Sequence, residues 1–150
     1  MSEENAVELD ELLETPINME EVARTRKDSM LPVGTYTTTP PLTVAVRKSE
    51  EGRVFLRAFG AVTLGDNSGK VGFSVSPERK NKVVDAEDTG KPDFPSRLYV
   101  QLVKAYEDAS GERPSSLGSL KSYLENYPVK LRLIQGTDDN MVVAIAAIKE

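Results

Sequence analysis

Apolar and polar residues alternate with period two across residues 53–64. Val54, Leu56, Ala58, Val62 and Leu64 fall on one side, and Arg53, Phe55, Arg57, Phe59 and Thr63 on the other. A strand with one face in a core and the other turned outward has this pattern. Gly60 stands among the apolar positions and marks a bulge or a bend. Upstream, residues 34–39 are Thr-rich and extended. Leu42, Val44 and Val46 then alternate with Thr43, Ala45 and Arg47, so a long first strand is predicted, broken at Pro40-Pro41. Glu50-Glu51-Gly52 makes the turn into the second strand. Gly65-Asp66-Asn67-Ser68-Gly69 makes the next, and residues 70–75 form a third strand with Val71, Phe73 and Val75 inward.

Residues 77–93 are polar and charged and are predicted to be a long loop. Asp93 can cap a helix carrying Leu98, Leu102 and Ala105 on one stripe, flanked by Tyr99, Val103 and Tyr106 and ending near Gly111. Ser115 or Ser116 starts a second helix with Leu117, Leu120, Tyr123 and Leu124. Gly118 weakens it and Pro128 stops it. Val129, Leu131 and Leu133 alternate with Lys130, Arg132 and Ile134 in a fourth strand. A turn over residues 135–140 leads to a fifth strand, residues 141–148, apolar on both sides and therefore covered. The expected fold class is mainly β with two helices (α+β): five strands, with the helical insertion between strands 3 and 4.

The length, 150 residues, suits one domain, read as residues 30–150 behind an N-terminal arm of residues 1–29. The chain has no Cys, His or Trp. Disulfides, thiolate metal sites and Ser-His-Asp or Cys-His catalysis are excluded, which favours a binding protein over an enzyme. Residues 1–23 hold eight acids and no base, whereas the rest holds 16 acids and 19 bases, so an arm of −8 precedes a body of +3. Leu9, Leu12 and Leu13 give the arm one short amphipathic stretch that Pro16 ends or kinks, and Arg24, Arg26 and Lys27 form a basic cluster after it. The longest apolar run, residues 141–148, is far below the roughly 20 residues of a membrane span. No export signal is read at the N-terminus. The expectation is a cytoplasmic protein with no membrane partner.

Arg53, Phe55, Arg57 and Phe59 carry the chemistry. Alternation puts cations and flat rings on one exposed face, which is what phosphates and unpaired bases require. With helical material between the third and fourth of five strands, the chain resembles the OB-fold single-stranded DNA-binding proteins, in particular the small phage-encoded kind. The resemblance covers roughly residues 30–150 and is one of layout. It implies a five-stranded Greek-key barrel and a non-catalytic, sequence-tolerant role in DNA replication or recombination, in the host cytoplasm if phage-encoded. Bacterial members end in an acidic tip that recruits partners; here the acidic segment is N-terminal, where it would inhibit binding or recruit a replication protein. The expected nucleic-acid-binding residues are Arg53, Phe55, Arg57 and Phe59, with Arg79, Lys80 and Lys82 from the long loop, Lys130 and Arg132 on strand four, and Tyr36 as a further ring. No cofactor or metal is expected. Gly65 to Lys70 has the wrong spacing for a phosphate loop. Neither Asp85, Glu87 and Asp88 nor Asp138 and Asp139 match an EF-hand. Tyr99, Tyr106, Tyr123 and Tyr127 read as helix-packing residues. The rival expectation is a protein-interaction or virion-structural β-domain that binds no nucleic acid. Homo-oligomerisation is left open.

Overall fold

The computed structural model describes residues 12–137 and 139–148, apart from the side chain of Lys27. Three helices and eight strands lie within them. The order is α1 (Met19–Ser29), β1 (Gly34–Thr38), β2 (Thr43–Lys48), β3 (Val54–Leu64), β4 (Asn67–Val75), β5 (Asn81–Val84), β6 (Glu87–Pro92), α2 (Phe94–Ser110), α3 (Leu117–Asn126), β7 (Val129–Gln135) and β8 (Asn140–Ala147). The protein is mainly β, and six strands form one antiparallel sheet curled into a half-barrel.

β3 organises that sheet. Along one edge it pairs with β4 from Leu56↔Val75 to Leu64↔Asn67. Along the other it pairs first with β2, from Lys48↔Val54 to Thr43↔Phe59, and then with β1, at Thr38↔Val62 and Thr37↔Thr63. β1 and β2 thus run as one interrupted strand, with Pro40 and Pro41, which lack the N–H of a ladder, in the gap. Gly60 stands where β3 passes from one partner to the other. A Cβ there would meet Leu42 Cδ2 at 2.5 Å, so the missing side chain is the space that buried Leu42 fills. β7 joins the far side of β1, and β8 joins β7.

The concave side holds the core, with Tyr36, Leu56, Val62, Val75, Leu131 and Leu133 fully buried. No ladder joins β4 to β8 among the described residues. α2 packs against both strands, sending Leu98, Leu102 and Ala105 inward. It also satisfies their edges: Ile145 N–H on β8 donates to Gln101 Oε1 at 2.7 Å, and Ser76 N–H after β4 donates to Pro95 O at 3.2 Å. α3 lies beside β2 and adds Leu120, Tyr123 and Leu124. The expected helix starts hold. Asp93 accepts from Ser96 N–H and Gly111, at φ 74°, closes α2; Ser116 accepts from Ser119 N–H at the start of α3.

Several expectations change. There is a third helix, α1, capped by Asn18, whose Oδ1 accepts from the N–H groups of Glu20 and Glu21. The amphipathic stretch expected at Leu9, Leu12 and Leu13 lies partly outside the described residues; Leu12 and Leu13 are exposed. The turn after β3 is tighter than expected, because Gly65 alone takes the positive φ (58°) and the ladder resumes at Asn67. Most of the expected long loop is the β5–β6 hairpin, turned by Asp85 and Ala86, both at positive φ. It escapes a hydrophobic-pattern reading because it buries nothing: residues 78–91 are all exposed. The segment after α1 is tied down by Asn140, whose side chain accepts from Leu31 N–H and donates to Leu31 O at 2.8 and 2.9 Å. No helix among the described residues is long and apolar enough to cross a membrane.

Candidate functional site

The convex face of the sheet is the chemically distinctive surface. Its outward positions carry Arg47, Arg57, Lys70, Lys130 and Arg132; Lys48, at the end of β2, has the other parity, opposite Val54; and the six strands hold not one Asp or Glu. None of these six cations forms an ion pair among the described residues. The ladders fix how outward residues adjoin. Arg47 pairs with Phe55; Arg57 stands between Ala45 and Ser74; Phe59 stands between Thr43 and Gly72; Lys70 pairs with Ala61. The row continues through Thr63, Thr37 and Lys130, with Arg132 opposite Thr35. The curl of one sheet therefore carries cations from β2 and β4 round to β7, with Phe55 and Phe59 among those of β2, β3 and β4.

Phe55 is half-buried and Phe59 is 49% exposed. Arg47, Lys48, Phe55, Arg57 and Ser74 line an open groove of about 490 Å³. A Cβ at Gly72 would lie 3.3 Å from Phe59 Cδ2, so the ring rests over bare backbone. Arg47, Lys70 and Gly72 were not singled out as binding residues in the sequence. The signal for the two cations lies in their alternation with the valines of β2 and β4 (Val44 and Val46; Val71), but Gly72 acquires meaning only through its register with Phe59.

Two of the expected contacts are corrected. Tyr36 is fully buried, and its hydroxyl donates to Pro32 O at 2.7 Å, so it is a core residue with a satisfied polar tip rather than a stacking platform. Arg53 is 8% exposed. It keeps to the side of Phe55, over whose ring its guanidinium carbon sits at 5.0 Å, but Ser76, Glu78, Asp93 and Ser96 close over that end of the face. Its Nη1 and Nη2 donate to the two Asp93 oxygens at 2.7 and 2.9 Å, Nε to Ser76 Oγ at 3.0 Å, and Nη2 also to Ser96 Oγ and Glu78 O. These bonds leave Arg53 no free edge for a phosphate. The Arg53 guanidinium and the bonds from Ser96 hold the Asp93 carboxyl down at about 2, against the opposing effect of burial. The pair ties the start of β3, the end of β4 and the cap of α2 together, with the guanidinium against the Phe55 ring.

Two of the hairpin cations have partners of their own. Arg79 donates to Gly90 O at 3.1 Å, and Lys80 pairs with Glu51 at 2.9 Å across the β2–β3 turn. Lys82 is exposed on β5. On the opposite side of the molecule, Tyr106 meets Tyr123 edge-on at 5.5 Å, and Tyr127 stacks on Tyr123 at 6.0 Å. Tyr106 and Tyr123 pack between helices as expected. Tyr127 is instead 61% exposed, since it follows the last turn of α3. Among the described residues no group of three or more acids gathers to hold a metal ion. Comparison of the chain with known protein families, curated proteins and solved structures finds no match.

Proposed function

We propose that the chain is a non-catalytic, sequence-tolerant single-stranded DNA-binding protein of replication or recombination, with the convex sheet face as its binding surface. The observation that carries this reading is the charge of that face: five cations without an ion pair among the described residues, no acid in six strands, and two accessible rings among the cations. A single strand offers the complement, a phosphate every nucleotide and bases free to stack. Phe55 and Phe59 stack bases; Arg47, Arg57, Lys70, Lys130 and Arg132 contact phosphates. The strand connectivity favours an OB-like barrel: β1 and β2 taken as one bent strand, the path β4–β3–β1–β7–β8, and helices between β4 and β7. The acidic arm is then a segment for partner recruitment or for competition with DNA.

The test is fluorescence anisotropy of labelled oligo-dT titrated with the full chain at low and moderate salt, with a duplex of equal length as control. Single-strand binding that weakens steeply with salt and exceeds duplex binding is the expected result. No binding at low salt, by the full chain or by a chain lacking residues 1–23, overturns the reading and leaves a protein-interaction β-domain.

A further inference from the structure

The β5–β6 hairpin has no role in the core and a poor claim on nucleic acid. All of residues 78–91 are exposed, and they hold four cations (Arg79, Lys80, Lys82, Lys91) and four acids (Glu78, Asp85, Glu87, Asp88). A neutral arm gains nothing from a polyanion. A two-stranded hairpin with no cover is also marginal in water, yet this one is held firmly at its root, where Asp93 N–H donates to Lys80 O at 2.7 Å and Asp93 grips Arg53.

Its charges are ordered along its length. Three of the four acids, Asp85, Glu87 and Asp88, crowd the tip, and Lys82 and Lys91 stand toward the root, where Lys80 is paired with Glu51, Arg79 donates to Gly90 O, and the fourth acid, Glu78, lies. Between them β5 exposes two valines, Val83 at 61% and Val84 at 46%. Val84 pairs with Glu87 across the ladder, and Lys82 lies two residues back on the same strand. Basic, apolar and acidic positions in that order are complementary to their own reverse. Two such arms packed antiparallel about a two-fold axis place each acidic tip toward the other's Lys82 and bring the Val84 side chains of the two copies together, Val83 lying on the other face of the hairpin, as an isologous contact requires.

We infer that the β5–β6 hairpin is a self-association arm whose occupant is the same hairpin of a second copy, with Val84 near the axis and Lys82 of each copy facing Glu87 of the other. This inference is independent of whether the sheet face binds DNA, and its test contains none.

Sedimentation equilibrium of the full chain is expected to show a reversible dimer that weakens with added salt. Val84→Lys and Glu87→Lys are each expected to weaken it at least about tenfold, or ~1.4 kcal/mol, while thermal melts at concentrations where the wild type is monomeric stay unchanged, because both positions are exposed. Lys82→Glu alone is expected to weaken it, and Lys82→Glu with Glu87→Lys in the same chain to restore it. A chain that stays monomeric at its highest soluble concentration overturns the inference. So does a dimer indifferent to Val84→Lys, or a double exchange that does not rescue.

Discussion

Phe59 and Gly72 face each other across the β3–β4 ladder, and a Cβ on Gly72 would stand 3.3 Å from Phe59 Cδ2. The glycine gives the ring its seat. Phe59 lies over the backbone of β4 with about half of its surface still open, a geometry suited to receiving a second flat ring from outside.

Removing the ring therefore separates binding from folding. Phe59→Ala is expected to weaken oligo-dT binding by about 1–3 kcal/mol, the value of one base–aromatic stack, with little change in the melting temperature. Gly72→Ala keeps the ring but crowds it, and a smaller loss in the same titration is expected. Wild-type affinity in Phe59→Ala would remove the ring from the interface.

The cations of the sheet face and of the hairpin are expected to differ in their salt response. Each phosphate contact contributes about −0.7 to the slope of log K against log salt for a single strand. Arg57→Gln and Arg132→Gln should each make the slope shallower by roughly that amount. Arg79→Gln, on the neutral hairpin, should leave it unchanged. Titrations at four or five salt concentrations decide the matter.

The Arg53–Asp93 pair predicts an acid dependence of stability. Asp93 titrates at about 2 in the folded protein, below the roughly 3.9 of an unfolded Asp. The unfolded chain binds this proton first as pH falls. The stabilisation is complete above about pH 4 and is lost progressively down to about pH 2. Its size is on the order of 2 kcal/mol. Urea denaturation of the wild type and Asp93→Asn across this range should converge at low pH. Near neutrality the variant should be less stable by a few kcal/mol, because Arg53 is left buried without its carboxylate.

Gly60 predicts a packing defect. In Gly60→Ala the new methyl would lie 2.5 Å from Leu42 Cδ2 and 3.4 Å from Leu42 Cα, and Leu42 is 4% exposed. Overpacking of this kind costs about 1–3 kcal/mol. The loss should appear in chemical denaturation, and Gly60→Ala combined with Leu42→Val should recover part of it.

Period-two alternation alone determined the inward and outward sides of β3, β4 and β7, because a pleated strand leaves no choice once one face is buried. It therefore placed Phe55, Arg57, Phe59, Lys130 and Arg132 on the convex face. Asp93 and the Ser115-Ser116 pair announced their helices through local capping chemistry, which needs no distant partner, and the structure gives the cap to Ser116. Other features were decided by tertiary structure. Arg53 obeys the same alternation as Arg57, yet Ser76, Glu78, Asp93 and Ser96 close over it, and its bonds to Asp93 span 40 residues. Tyr36 was legible only as a ring on a strand; the curl of the sheet put it inside. The β5–β6 hairpin buries no side chain, so no hydrophobic period marks it. Gly72 needed its register with Phe59. A sequence carries the periodicity of a face, whereas which neighbours close over that face depends on how the sheet bends.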